Sequence, residues 1–325
     1  MKKIYICDCD HSNIDQEKAV FESAGVEYRW LHCKSQEEVI AQCQGVDALL
    51  NQYVLMDKKI FESIPSLKCV VRYGVGYDNI NIEDATRYGV QVCNIPDYGV
   101  NEVADHALAL MLALVRKVDK IVAQTRKGVW DYKQTIPIHR GSYRTVGIIG
   151  VGRIGSAFAK RVKALGYTVI GYDPRYEVES NQFPDDIGYV SLEEVLEKSD
   201  IVSVHCSLNE LSNNLLNEST IGKMKKGAYL INVSRGGIVD EKALLEAIRS
   251  HHLAGAALDV VESEPLIAGD PILACEDIIV TPHMAWYSEE SAKELKQKCA
   301  EEALRYVQGL PVRYPINDVA IAQGK

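Results

Sequence analysis

Two sets of residues in this chain have types and spacings suited to chemistry. The first is Gly150-Val151-Gly152-Arg153-Ile154-Gly155, a GxGxxG that follows the apolar run 146–149 and opens the helical pattern 154–164. In that context the first glycine makes a tight turn, the second admits the backbone to a pyrophosphate, and the third lets helix pack on strand. The N–H groups of Arg153 and Ile154 open the helix and face the phosphates. Asp173 ends the next strand-like run. A carboxylate there is expected to accept from both ribose hydroxyls and to repel a 2′-phosphate, which favours NAD over NADP. Arg175, two residues on, is placed to soften that preference. The second set comprises three runs: 232–240 around Arg235, 255–265 ending in Glu264-Pro265, and 281–286 around His283. Each places a polar residue just past an apolar strand, where α/β sheets hold their ligands.

The elements that must position these residues alternate along the chain. Strand-like runs at 3–7, 26–31, 48–51, 68–72 and 90–93 alternate with helix-like runs at 15–23, 36–43, 58–63 and 82–88. A long helix is predicted over 102–118, then an irregular loop or arm over 125–142. A second series follows, with strands at 146–149, 168–172, 201–205, 229–233, 254–259 and 278–281. Helices are expected between them, and a closing helix over 288–309. Such alternation predicts α/β architecture: two Rossmann-like or flavodoxin-like domains with parallel sheets and an interdomain cleft. We assign residues 1–100 with 295–325 to a substrate domain and 101–294 to a dinucleotide-binding domain.

Over nearly its whole length the chain resembles the D-isomer-specific 2-hydroxyacid dehydrogenases. The C-terminal-binding-protein-like branch shares its most distinctive runs. These are His205-Cys206-Ser207-Leu208-Asn209-Glu210, the Ala256-Ala257-Leu258-Asp259 run with Glu262-Ser263-Glu264-Pro265, and His283-Met284-Ala285-Trp286-Tyr287-Ser288-Glu289. The resemblance implies Arg235 as anchor for a carboxylate and a carbonyl, His283 as acid/base and Glu264 as its partner. It implies NAD as cofactor, with His205, Cys206, Val233, Ser234 and Trp286 beside it and Asp259 accepting from the nicotinamide carboxamide. Physical chemistry supports these roles independently. Reduction of a 2-keto acid needs a hydride and a proton, and histidine is the natural proton donor near neutral pH. A neighbouring carboxylate fixes its tautomer and favours the imidazolium. Arginine offers a planar fork to a carboxylate and polarises a ketone. Glu262, two residues before Glu264, does not precede the proline and is set aside.

The first series contributes Val71-Arg72-Tyr73-Gly74-Val75-Gly76-Tyr77-Asp78-Asn79. Its glycines free backbone N–H groups to face an anion. The resemblance puts this loop across from the nicotinamide, so that Arg72, Val75 and Gly76 bind the substrate. Trp286 is a candidate lining for the substrate side chain. The long helix from residue 101 often packs against a second subunit in this family, so a homodimer is expected. Two other readings stay open: an NAD(H)-sensing, protein-binding module of corepressor type, and a phosphoglycerate or phosphite dehydrogenase. Formate dehydrogenases pair their histidine with Gln, whereas this chain has Glu264. The end at Lys325 leaves no room for the regulatory domain of the longer phosphoglycerate dehydrogenases.

Bulk properties set the outer limits. At 325 residues and 47% apolar composition the chain suits about two cores. A net charge of −9 argues against a nucleic-acid surface. The nine cysteines stand without CxxC spacing, so no metal site and reduced thiols in the cytoplasm are expected. Residues 1–10 read as a buried strand rather than a signal peptide, and the apolar run 107–115 is too short to cross a bilayer.

Overall fold

The computed structural model describes residues 2–179 and 183–319. The chain divides into two compact units, Met1–Gly99 with Ser288–Lys325, and Val100–Tyr287.

In the first unit the strands are β1 (Lys3–Ile6), β2 (Glu27–Trp30), β3 (Ala48–Asn51), β4 (Cys69–Arg72) and β5 (Gln91–Cys93). Helices α1 (Asp15–Ser23), α2 (Gln36–Gln42), α3 (Lys58–Ser63) and α4 (Ile82–Arg87) alternate with them. The sheet is parallel, in the order β2-β1-β3-β4-β5, the flavodoxin-like arrangement. Its central strands read as unbroken apolar runs because both faces are covered. Leu49, Val70 and Val92 pack against Val39, Ile60, Phe61 and Ile64 on one side.

The second unit begins with α5 (Val100–Arg116) and α6 (Val118–Arg126). The sequence pattern carried one helix through 118. Instead Lys117 adopts a left-handed conformation, φ 52°, and the chain restarts as a separate helix. Then follow β6 (Thr145–Ile149), α7 (Arg153–Ala164), β7 (Thr168–Tyr172), α8 (Tyr176–Glu179), β8 (Gly188–Tyr189), α9 (Leu192–Lys198) and β9 (Ile201–Val204). After them come α10 (Glu218–Gly222), β10 (Ala228–Asn232), α11 (Glu241–Arg249), β11 (Leu253–Leu258) and β12 (Ile278–Val280). The sheet runs β12-β11-β10-β9-β6-β7-β8, all parallel. That is the dinucleotide-binding order with one added strand, and its reversal point lies between β6 and β9. One apolar layer joins the sheet to α5 and α7 through Ala107, Met111, Phe158 and Val162. The other joins it to α9, α10 and α11 through Leu196, Ile221, Leu244 and Ile248.

The return to the first unit is the helix α12 (Glu289–Val307), whose Ser288 caps it by accepting from the Ser291 N–H. It packs on α1, β3 and β4. The boundary thus falls at Ser288, not near residue 295, because the whole helix lays Leu295, Cys299 and Ala303 into the first unit.

Candidate active site

Every candidate residue of the second unit lies at the carboxyl end of its sheet. Gly150 follows β6, Asp173 follows β7, His205 and Cys206 follow β9, Val233 to Arg235 follow β10, Asp259 follows β11 and His283 lies just past β12.

The glycine turn meets the demands of a pyrophosphate cradle. Gly150 has φ +90°, and a Cβ there would lie 2.5 Å from the Cys206 backbone nitrogen. A Cβ on Gly155 would lie 2.1 Å from the Gly150 carbonyl oxygen, so the helix approaches the turn this closely only because residue 155 is glycine. Gly152 caps α7 without a side-chain acceptor, leaving the first-turn N–H groups open to an anion. A Cβ on Gly152 would find only Arg175 Nη2 within 4 Å, at 3.9 Å. Arg153 is exposed at the first helical position, whereas Ile154 packs back against the core. These residues fit a dinucleotide.

Asp173 is buried at the end of β7. Its Oδ2 accepts from the Val151 N–H at 3.0 Å and from Arg175 Nη2 at 3.0 Å. Its Oδ1 accepts from the Arg175 N–H at 3.1 Å and from Arg175 Nε at 3.0 Å. The carboxylate expected to wait for a ribose is therefore already engaged.

His205 serves differently from the reading of the sequence. Its ring lies tilted against Phe158, with centroids 4.9 Å apart, and Nε2 pairs with Ser203 Oγ at 2.8 Å. Burial drives its pKa down to about 3, so it stays neutral. The imidazole thus lies against Phe158, while the Cys206 backbone nitrogen, Cα and Cβ lie beside Gly150. Burial also pushes the Cys206 thiol up to about 11, an inert thiol. Ser234 Oγ donates to the Val204 carbonyl at 2.9 Å and Val233 is buried, so both brace the turn after β10. Trp286 packs against the core beside α5 and α7 and meets Tyr287 edge-on at 5.6 Å.

The trio itself is assembled by three short loops. Asn232, fully buried, accepts from the Ser234 N–H at 3.0 Å and donates to the Arg235 carbonyl at 2.8 Å, fixing the arginine's backbone. Gly236 then passes against the next loop so closely that a Cβ would lie 1.9 Å from the Val261 carbonyl carbon. The Arg235 and Glu264 loops are locked by that contact. Glu264 Oε1 accepts from the Val261 N–H at 3.2 Å, and Oε2 lies 2.7 Å from His283 Nδ1. Glu262 turns elsewhere: its Oε1 accepts from the Glu241 N–H at 3.1 Å, while its own N–H donates to Glu241 Oε1 at 2.6 Å.

Burial works to raise the Glu264 carboxyl. The hydrogen bond from His283, that residue's charge, the Val261 N–H and the Arg235 charge outweigh it, so Glu264 titrates below the ordinary carboxylate range. An ionised carboxylate only accepts, so Nδ1 carries the proton, which leaves Nε2 as the ring nitrogen able to gain or lose one. His283 holds this position at φ +50°, a left-handed conformation uncommon outside glycine. Its N–H donates to the Asp259 carbonyl at 2.8 Å and the Thr281 carbonyl at 3.0 Å.

Asp259 has a part in that strain. Its buried carboxylate accepts from Thr281 Oγ1 at 2.6 Å, Met284 N–H at 3.0 Å and Ala285 N–H at 2.9 Å. His106 Nε2 reaches Thr281 Oγ1 at 3.0 Å. Asp259 therefore clamps the loop that carries His283. Asn232, Thr281 and His106 were not singled out from the sequence; for Asn232 the available signal was a polar residue at the end of an apolar strand, whereas His106 lies within α5, where no such signal stands.

Arg72, Val75 and Gly76 belong to the first unit. The Arg72 guanidinium folds back over Gly74, whose φ is +121°, and donates to the Tyr73 carbonyl. Asn94 Nδ2 donates to the Val75 carbonyl at 2.6 Å. Asn79 Nδ2 ties the far end of the loop to Asn51 Oδ1 at 2.9 Å. Among the described residues no group of three metal-ligating side chains occurs.

Comparison with known proteins agrees with this geometry. The family described as D-isomer specific 2-hydroxyacid dehydrogenase, NAD binding domain, matches residues 108–285. A glyoxylate reductase of Korarchaeum cryptofilum is 37% identical over 277 residues, 84% of this chain and 82% of that protein. A D-lactate dehydrogenase from Aquifex aeolicus, complexed with NAD and lactic acid, superposes with TM-score 0.85 at 26% identity, covering 94% of this chain and 96% of that one. An acyclic imino acid reductase in complex with NADPH and D-Arg superposes with TM-score 0.87 at 28% identity, covering 98% of this chain and all of that one. The sheet order, the glycine turn and the family match over the second unit converge: this chain belongs to the D-isomer-specific 2-hydroxyacid dehydrogenases, NAD-dependent oxidoreductases that act on CH–OH groups.

Proposed function

We propose that the protein interconverts a small 2-keto acid and its D-2-hydroxy acid, with His283 as proton donor and acceptor, Glu264 as its partner and Arg235 as carboxylate anchor. The observation that carries this reading is the 2.7 Å contact between His283 Nδ1 and Glu264 Oε2, with the Arg235 charge on a third loop also acting on Glu264. Bound NADH supplies the hydride to the carbonyl carbon. The chain's own residues do the rest. Arg235 grips the carboxylate and polarises the ketone oxygen. His283 Nε2 delivers a proton to that oxygen as it becomes an alkoxide, and the Glu264 charge stabilises the imidazolium that must donate. In oxidation the neutral ring accepts the proton from the hydroxyl. We assign Arg72, Val75 and Gly76, in the loop after β4, as further substrate contacts, the first unit being the substrate domain. The test is NADH oxidation across a panel of 2-keto acids, from glyoxylate to branched-chain and phosphorylated members. Turnover of at least one, with no product of the opposite hand, is expected; no turnover of any overturns the reading.

The native state in this reading is a homodimer. On the segment 118–143 Trp130 is 91% exposed, Tyr143 79% and Tyr132 73%, with Ile136 and Val118 exposed beside them. That many large apolar side chains on one short segment mark an association surface, and a second copy is its occupant. Sedimentation should give twice the chain mass for the wild type and the single chain mass for a Trp130→Glu/Tyr132→Glu double variant. A monomeric wild type would exclude it. A cytoplasmic setting accords with nine cysteines that form no disulfide. No helix among the described residues is long and apolar enough to cross a membrane.

A further inference from the structure

A left-handed backbone at a residue with a side chain, as at His283 with φ +50°, is unfavourable and persists only where its neighbours over-determine it. The loop that carries His283 is tied on both sides of it. Downstream, the Met284 and Ala285 N–H groups donate to the Asp259 carboxylate at 3.0 and 2.9 Å. Upstream, the Thr281 N–H donates to the Leu258 carbonyl at 3.0 Å, and the Thr281 hydroxyl donates to Asp259 Oδ1 at 2.6 Å. The hydroxyl is the tie that a single side-chain rotation would undo.

His106 fixes that rotation. The one hydroxyl proton of Thr281 goes to Asp259, so its oxygen accepts from His106 Nε2, 3.0 Å away, and Nε2 carries the N–H. The same nitrogen lies 3.5 Å from Asp259 Oδ1. His106 comes from α5, outside the three loops that carry the trio. Val103, Ala107, Leu110 and Met111 bury that helix in an apolar layer of the sheet, so the imidazole donates from a fixed support.

We propose that His106 is a positioning residue for proton transfer: through the Thr281 hydroxyl and Asp259 it holds His283 in the left-handed conformation from which its ring meets Glu264. Glu264 stands on a different loop, which is itself locked against Gly236. The 2.7 Å contact between the two residues is therefore loosened when the histidine backbone relaxes.

The inference rests on the proton-exchange reading of His283. Its test is kcat, kcat/KM against pH in both directions, NADH affinity and Tm for wild type, His106→Ala, His106→Gln, Thr281→Val and the His106→Ala/Thr281→Val double variant. His106→Ala should lower kcat about 10-fold in both directions, the cost of a displaced proton donor. It should move both pH limbs downward, as loss of the Glu264 charge would, with NADH affinity within about threefold of wild type. His106→Gln presents an amide N–H at the reach of Nε2 and should bring kcat back to within about threefold of wild type and both limbs back to their places. The double variant should be about as impaired as Thr281→Val alone, because the two side chains act in series. A role in packing alone would lower Tm and leave the pH limbs where they are. Wild-type kcat and limbs in His106→Ala, a Gln variant as impaired as Ala, or additive losses in the double variant overturns the proposal while leaving the reading of His283 intact. Wild type that turns over no 2-keto acid, or His283→Ala that keeps its turnover, overturns that reading and the inference with it.

Discussion

His283→Ala should lower kcat about 1000-fold or more in both directions while leaving NADH affinity within about twofold, because it removes the group proposed above to exchange a proton with the substrate oxygen. The companion variant Glu264→Gln separates charge from hydrogen bonding. Gln can still accept from Nδ1–H but brings no charge. Glu264 titrates below the ordinary carboxylate range, so its charge faces the ring throughout the pH span in which an imidazole changes state. Reduction needs the protonated ring and slows as pH rises; oxidation needs the neutral ring and speeds up over the same window. Removing the carboxylate charge should displace both limbs to lower pH without abolishing turnover. The same depressed carboxyl also supports the folded state above the ordinary carboxylate range and loses that support as pH falls through its lowered value. The measurement is kcat/KM against pH in both directions for wild type and Glu264→Gln. Superimposable profiles would show that the 2.7 Å contact is not electrostatically coupled to proton transfer, and the dyad would have to be abandoned.

The second large effect concerns the anchor. Arg235→Lys keeps a positive charge on a backbone that Asn232 and Gly236 hold in place, so the loop should remain intact. What it loses is the planar fork that grips a carboxylate with two parallel hydrogen bonds. We expect kcat/KM for the keto acid to fall at least about 100-fold, on the order of 3 kcal/mol. NADH binding and thermal stability should hardly change. A Lys variant near wild-type efficiency would transfer the anchoring role to Arg72. A variant that loses NADH binding as well would show that Arg235 shapes the cofactor site instead.

Much of this organisation can be read without a structure, for identifiable reasons. Buried parallel strands announce themselves as apolar runs, so β1, β3, β4, β6, β9, β10 and β11 stand out, and the GxGxxG is legible because it sits between one of them and α7. The elements missed are those without periodicity. β8 has two residues, and α6 is set apart from α5 by a single left-handed residue, Lys117, whose conformation no local pattern announces.

The sequence by itself determined the chemical inventory of this protein: an arginine, a glutamate and a histidine, each one loop beyond a strand, and an acid at the end of the strand after the glycine turn. Those facts depend on order along the chain, and order survives without coordinates. Only the tertiary structure decided what each side chain does with its position. His205 and His283 both follow apolar strands, yet one turns inward onto Phe158, where burial keeps it neutral, and the other turns out to Glu264. Asp173 and Arg175 are two residues apart in any reading, but the saturation of the carboxylate follows from a guanidinium and the Val151 N–H, brought from another strand, converging on one group. Side-chain direction and hydrogen-bond occupancy depend on rotamers and on neighbours from other segments, such as Phe158 for His205 and the Val151 N–H for Asp173, and for that reason they could be known only after the chain was folded.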